Sequence, residues 1–260
     1  MALALFVLLP AGTLRAGARA LSRAYLFPTS DVPFIATPAD FVRHRLVASD
    51  GTVVHAIELP APGGARTVVH FHNNRETAEA AADFARAIRR RGLGVLLVEY
   101  RGYGASRGAQ PSEEGLYCDA EAALAMLAAR GIGPDRVVLS GTSLGTGVAA
   151  EMARRGRGAR LVLVTPYTSI ADLVTDRVPG LPANFLIADR FATLEKAPDI
   201  HLPTLVIHGD ADEIVPFAMG QKVAAAVPGA RFLRVPGGRH GDLFVRDGPR
   251  LFDAIATLGT

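Results

Sequence analysis

Apolar positions change their spacing near residue 67, and that change divides the chain. Before it, Phe41-Val42-Arg43-His44-Arg45-Leu46-Val47 and the stretch from Thr52 to Leu59 alternate apolar with polar residues, and Asp50-Gly51 supplies a turn between them. Such alternation predicts an antiparallel pair at a sheet edge, with His44 and His55 on its solvent face. Beyond Thr67, short unbroken apolar runs alternate with helical stretches, the pattern of parallel strands covered on both faces. The runs are Thr67–His72, Val95–Tyr100, Arg136–Leu139, Leu161–Val164, Leu205–Ile207 and Arg231–Val235. Helices are expected over about 77–91, over 112–129, directly after the third run, and over 243–257. The fold class is therefore α/β: a mostly parallel twisted sheet of about eight strands, with right-handed crossovers that leave the strand carboxyl ends on one rim.

Two regions depart from this rhythm. Residues 1–39 form an apolar lead, Ala2–Leu9, followed by an arm punctuated by Pro28, Pro33 and Pro38. The lead is too short to span a bilayer. It has the character of a signal segment, with Ala18-Arg19-Ala20 as a candidate cleavage site, or of an anchor or amphipathic surface segment; the alternatives are export or membrane association through the N-terminus and, otherwise, a cytoplasmic location. Within the remaining domain, 40–260, a proline-rich connection over about 166–202 lacks a strand and is long enough to act as a small lid. It carries helical patches at Ile170–Val174 and Phe185–Phe191. Leu181, Phe185, Leu186 and Phe191 can either line an acyl pocket or simply pack the lid onto the body.

Composition narrows the function classes. The 260 residues, 49% hydrophobic, suit one domain with a full core, and the net charge of +3 comes from scattered basic residues that are nearly all arginine. No nucleic-acid partner is expected. The single cysteine, Cys118, excludes an internal disulfide and reads as a small core residue.

Chemistry enters at Arg136-Val137-Val138-Leu139-Ser140-Gly141-Thr142-Ser143-Leu144-Gly145, an apolar run ending in Gly-x-Ser-x-Gly just before an Ala-rich helical pattern. A serine on a strand-to-helix turn adopts a strained backbone, and the flanking glycines let strand and helix approach closely. Ser143 is the candidate nucleophile. It needs a base, and the base needs an acid to fix its tautomer; both are expected on later strand-end loops, acid before histidine. His208-Gly209-Asp210-Ala211-Asp212-Glu213 offers three carboxylates after one strand. Gly238-Arg239-His240-Gly241 follows the next and makes His240 the candidate base. His208 is expected to order the acid loop.

Taken together, Tyr100-Arg101-Gly102-Tyr103-Gly104-Ala105-Ser106, the elbow at Ser143, His208-Gly209-x-x-Asp212 with Val215-Pro216, and Gly238-Arg239-His240-Gly241 resemble a serine hydrolase of the α/β-hydrolase superfamily. From about residue 40 onward the chain is similar to the small-lid branch, which includes membrane-anchored α/β-hydrolase domain proteins and serine aminopeptidase-like relatives. The resemblance implies an α/β-hydrolase fold and selects Asp212, over Asp210 and Glu213, as the acid. It also implies an oxyanion hole with one donor at Leu144 and the other on Phe71-His72-Asn73-Asn74-Arg75. Asn73 stands where the family usually has glycine, and Asn74 is the favoured donor.

The implied function is hydrolysis of an ester or thioester of a small-molecule or acylated substrate through an acyl-enzyme, with no metal and no cofactor. Ester-type chemistry is favoured over peptide cleavage. A peptidase or amidase would use the same triad, and a non-catalytic binding or scaffold protein on the same fold is the alternative of another class.

Overall fold

The computed structural model describes residues 11–260, so the apolar run Ala2–Leu9 lies outside the described residues. Helix α1 (Ala11–Leu26) comes first. Its last residue, Leu26, is buried in the core, as are Phe27 and Val32 of the irregular arm that follows. The antiparallel pair β1 (Val42–Val47) and β2 (Val53–Leu59) stands next, then β3 (Thr67–Phe71), α2 (Ala82–Arg89), β4 (Gly94–Glu99) and α3 (Glu113–Ala129). The elbow strand β5 (Val137–Thr142) leads into α4 (Leu144–Arg154), and β6 (Arg160–Val164) opens the lid segment with α5 (Ile170–Arg177), α6 (Ala183–Leu186) and α7 (Thr193–Lys196). The chain closes through β7 (Thr204–Gly209), α8 (Phe217–Ala226), β8 (Arg231–Val235) and α9 (Leu243–Gly259).

The strands form one eight-stranded sheet in the order β1-β2-β4-β3-β5-β6-β7-β8. Only the β1/β2 and β2/β4 pairings are antiparallel. Strand alternation sends side chains into two cores. Val69, Phe71, Leu96, Val98 and Leu139 join α3, α4 and α8 on one side, whereas Val68, Val95, Leu97 and Val138 meet α2 and α9 on the other. This two-sided cover explains why the parallel strands read as unbroken apolar runs.

Several expectations change. The patch expected to be helical over Phe185–Phe191 is helical only through Leu186, because Ile187 is extended and Phe191 sits at φ 43°. Phe191 packs rather than lines a pocket: it is fully buried, edge-on to Phe27 and Tyr117, and fills the space left by Gly147. Phe185 is 54% exposed. Helix α9 bends where Asp247 leaves helical geometry two residues before Pro249, whose ring disfavours the helical turn preceding it. Cys118 is half-buried rather than a core residue. His44 and His55 are half-buried as well; His44 Nε2 lies 2.6 Å from the buried Glu58 carboxylate, so neither simply faces solvent.

The second half of the lid segment is tied down at two places. Asp189 accepts Arg23 Nε at 2.6 Å and the Glu113 N–H at 2.8 Å, and Glu113 in turn accepts the Phe191 N–H at 2.9 Å. Lys196 on α7 lies 3.3 Å from Glu151 on α4, behind the elbow. Among the described residues no helix is long and apolar enough to cross a membrane.

Candidate active site

Ser143 sits between β5 and α4 with φ 51° and ψ −117°, a conformation that costs a non-glycine residue on the order of 1–3 kcal/mol. Close packing holds it there. A Cβ on Gly141 would overlap the Gly145 carbonyl, and one on Gly145 would lie 2.6 Å from the Phe71 carbonyl carbon and 2.9 Å from the His72 carbonyl oxygen. The Ser143 N–H donates to Val164 O at 2.9 Å, and Thr146 returns two donors to the Ser143 carbonyl, from N at 2.9 Å and from Oγ1 at 2.6 Å. Its side chain is thereby presented at the carboxyl rim of the sheet.

The loops after β7 and β8 converge on it. His240 Nε2 lies 3.0 Å from Ser143 Oγ, and His240 Nδ1 lies 2.9 and 3.1 Å from the two Asp212 oxygens. An ionised carboxylate only accepts, so Nδ1 carries the proton and Nε2 is free to accept the Ser143 hydroxyl hydrogen. Burial opposes ionisation of Asp212, but hydrogen bonds from His208, His240 and the Val215 N–H, with the His240 charge, hold its carboxyl well below the usual range. His208 is itself buried, 3.3 Å from Asp212 and 3.1 Å from the Val215 carbonyl, under Phe217 and Gly220 of α8.

The rival carboxylates are engaged elsewhere. Asp210 pairs with Arg234 and accepts the Gly237 N–H at 2.6 Å. Glu213 meets the His240 backbone N–H at 3.4 Å, not its ring. Among the described residues no group of three or more His, Cys, Asp or Glu side chains is arranged to hold a metal ion.

Leu144 opens α4 and presents one of the helix's unpaired first-turn N–H groups beside Ser143. Opposite lies the Asn73-Asn74 turn. Left-handed backbone is absent there, since the non-glycine residues with positive φ among those described are Ser143, Thr165 and Phe191. The side chain of Asn73 closes the turn instead: Oδ1 accepts the Arg75 N–H at 2.8 Å, and Nδ2 donates to Glu76 at 2.7 Å. Asn74 turns toward the arm, donating to Leu26 O at 3.0 Å, while Tyr103 Oη donates to the Asn74 carbonyl.

Beneath this turn stands a buried pair that pattern reading passed over. His72 Nε2 lies 3.0 Å from Glu99, and Nδ1 lies 2.7 Å from the Asn73 carbonyl. Both partners accept, so a doubly protonated ring satisfies both. Burial works against that charge, but Glu99, Glu76 and the Asn73 carbonyl outweigh it and raise the His72 pKa. Glu99 also accepts the Ala78 N–H at 3.2 Å, and Tyr100 Oη donates to the His72 carbonyl at 3.1 Å. The available signal was a glutamate closing the otherwise apolar run Val95-Leu96-Leu97-Val98-Glu99.

Comparison with known proteins bears on the whole arrangement. The model of the serine aminopeptidase S33 family matches residues 64–192, which takes in the Asn73-Asn74 turn and the elbow but stops short of Asp212 and His240. Rv2307c of Mycobacterium tuberculosis is 38% identical over 195 residues, covering 74% of this chain and 69% of that one. The α/β-hydrolase domain-containing protein WAV2 of Arabidopsis thaliana is 31% identical over 226 residues, covering 78% and 73%. Among solved structures, an esterase of Pyrococcus furiosus superposes with a TM-score of 0.72 at 14% identity, covering 88% of this chain and 96% of that one.

Proposed function

This chain belongs to the α/β-hydrolase family, and on that premise we propose that it is a serine hydrolase cleaving an ester or thioester of an acyl substrate through an acyl-enzyme. The observation that carries the reading is the unbroken hydrogen-bonded line from Asp212 through His240 to Ser143 Oγ.

In the first half-reaction Ser143 Oγ bonds to the acyl carbon as its proton passes to His240 Nε2. The carbonyl oxygen gains the charge, and backbone donors at Leu144 and on the Asn73-Asn74 turn stabilise it. Each such donor is worth about 2.7–4 kcal/mol. Collapse breaks the bond to the leaving oxygen or sulfur, which takes the proton from His240. Water then attacks the acyl-enzyme, loses its proton to His240, and releases the acid with Ser143 restored. Asp212 holds the imidazole in the required tautomer and supports its charge throughout. The His72–Glu99 pair positions the donor turn from below without touching substrate.

Peptidase or amidase activity is the second reading, favoured by the similarity of residues 64–192 to the serine aminopeptidase S33 family. Purified protein should be offered p-nitrophenyl esters, an S-acyl peptide and aminoacyl amides in parallel. Ester or thioester turnover is expected, with Ser143→Ala and His240→Ala each reducing kcat at least about 10³-fold. Turnover that survives Ser143→Ala would remove the proposal, and exclusive cleavage of amides would transfer it to the peptidase reading.

A further inference from the structure

A cleft of about 140 Å³ opens beside His240 on the α2/α9 side of the sheet. The placement follows from strand parity. Ser140 and Thr142 share one face of β5, and His70 on β3 reaches Ser140 Oγ from the same face at 3.0 Å. Apolar wall is supplied by Phe84 of α2, by Leu243 and Phe244 of α9, and by Val164 at the end of β6. Phe84 and Phe244 are braced by Phe252, with centroids 5.9 and 4.9 Å away. Asn73 and His240 also line the cleft, so it lies between the donor turn and the base.

Its polar groups restrict what can enter. His70 packs against Phe84 with centroids 4.4 Å apart and planes tilted by 33°, and burial pushes its pKa down to about 3, so the ring is neutral at any working pH. Glu76 faces the cleft too, holding Asn73 Nδ2 at 2.7 Å. The lid contributes none of the lining residues.

We propose that this cleft is the leaving-group subsite and takes a benzene-sized apolar or aromatic group without a carboxylate. The inference rests on the serine-hydrolase reading and adds the substrate class. Its geometric basis is the proton route: the leaving atom must come within hydrogen-bond reach of His240 Nε2 to be protonated, and His240 and Gly241 both line the cleft. A group bonded to that atom can enter the cleft between His240 and Thr142, the residue before Ser143. Size follows from volume, since a dry cavity of about 150 Å³ accommodates benzene. A carboxylated group would find no Lys or Arg among the lining residues, only neutral His70 and the Glu76 carboxyl, whose own charge burial already disfavours.

The test holds the acyl group constant as acetyl and varies the alcohol: methyl, benzyl, 4-carboxybenzyl and naphthylmethyl acetates. A second series holds methanol constant and varies the acyl group. Comparing variants cancels the intrinsic reactivity of each ester. Ala81→Leu, at a position lining the cleft, should lower the benzyl-to-methyl ratio of kcat/KM about tenfold or more, the discrimination usual for small changes in an apolar pocket. Phe84→Leu should shift preference toward naphthylmethyl, and carboxybenzyl should fall at least about tenfold below benzyl in the native protein. Thermal melts confirm folding of each variant. Ratios unchanged by both folded variants, or a change confined to the acyl series, would overturn the subsite. Absence of turnover together with absence of phosphonate labelling at Ser143 would instead overturn the hydrolase reading beneath it.

Discussion

Replacing Asp212 by asparagine preserves shape while turning one acceptor oxygen into a donor. In the native site Oδ1 accepts the Ile214 and Val215 N–H groups at 2.8 Å each, and Oδ2 takes the shorter bond from His240 Nδ1. An amide nitrogen cannot accept, so the amide oxygen stays with the two backbone donors and the NH2 group faces His240. Two donors then oppose each other. His240 relieves the conflict by moving its proton from Nδ1 to Nε2, which leaves Nε2 presenting a hydrogen to Ser143 Oγ across 3.0 Å instead of a lone pair. The base is lost although hardly an atom has moved. In a serine protease triad this tautomer error costs about 10⁴ in kcat, or about 5 kcal/mol of barrier, and a loss of that order is expected here with little change in KM. Asp210→Asn is the matched comparison. It disturbs the Arg234 pair and the Gly237 N–H without reaching His240, and should keep activity within about threefold, as fits an exposed ion pair. The assay is kcat on a p-nitrophenyl ester for all three proteins, with melting curves to establish folding. Retention of a tenth of native activity by Asp212→Asn, or loss of activity in Asp210→Asn alone, would refute the reasoning.

Two further predictions address the support of the site. Gly145→Ala drives a Cβ into the Phe71 carbonyl oxygen and forces β3 and the start of α4 apart by about 1 Å, shifting the donor turn that follows Phe71; displacements near 1 Å cost on the order of 10² in rate, so kcat should fall while the melting curve stays cooperative. An unaltered kcat would show that the close approach is dispensable. Glu151 is buried, which opposes its charge, but Arg154, Arg155 and Lys196 hold its carboxyl down to about 2. A pKa depressed by folding contributes stability that is complete above the unfolded value near ~4.3 and is lost as pH falls toward the folded one. The native Tm should therefore drop more steeply than that of Glu151→Gln as pH is lowered from about 5 to 2, and parallel curves would contradict the assignment.

The parallel strands were legible because burial on both faces removes polar residues from them, as in Val95-Leu96-Leu97-Val98. The same rule hid α8. Phe217–Ala226 combines Gly220 with four alanines, gives little helical contrast, and is a helix because Met219 and Val223 reach the core while Gly220 lets the backbone settle on His208. Helix α1 was hidden by the prolines that follow it, which suggested an arm throughout. The elbow was legible because a glycine on each side of Ser143 has a steric reason. Local spacing could not separate Asp212 from Asp210: two residues apart on one loop, they point to different partners, His240 and Arg234, and only the folded turn decides which faces the histidine. The His72–Glu99 pair escaped because its members, one just past the end of β3 and one on β4, are 27 residues apart and meet only when β3 pairs with β4.

The central claim is that Ser143 is an activated nucleophile, and covalent labelling reads it most directly. Native protein incubated with a fluorophosphonate at neutral pH should gain one adduct, located by peptide mass spectrometry at Ser143. The adduct should be absent in Ser143→Ala and form at least about 10³-fold more slowly in His240→Ala, which retains the hydroxyl but removes the base. Failure of the folded native protein to label, or equal labelling of His240→Ala, would contradict the account.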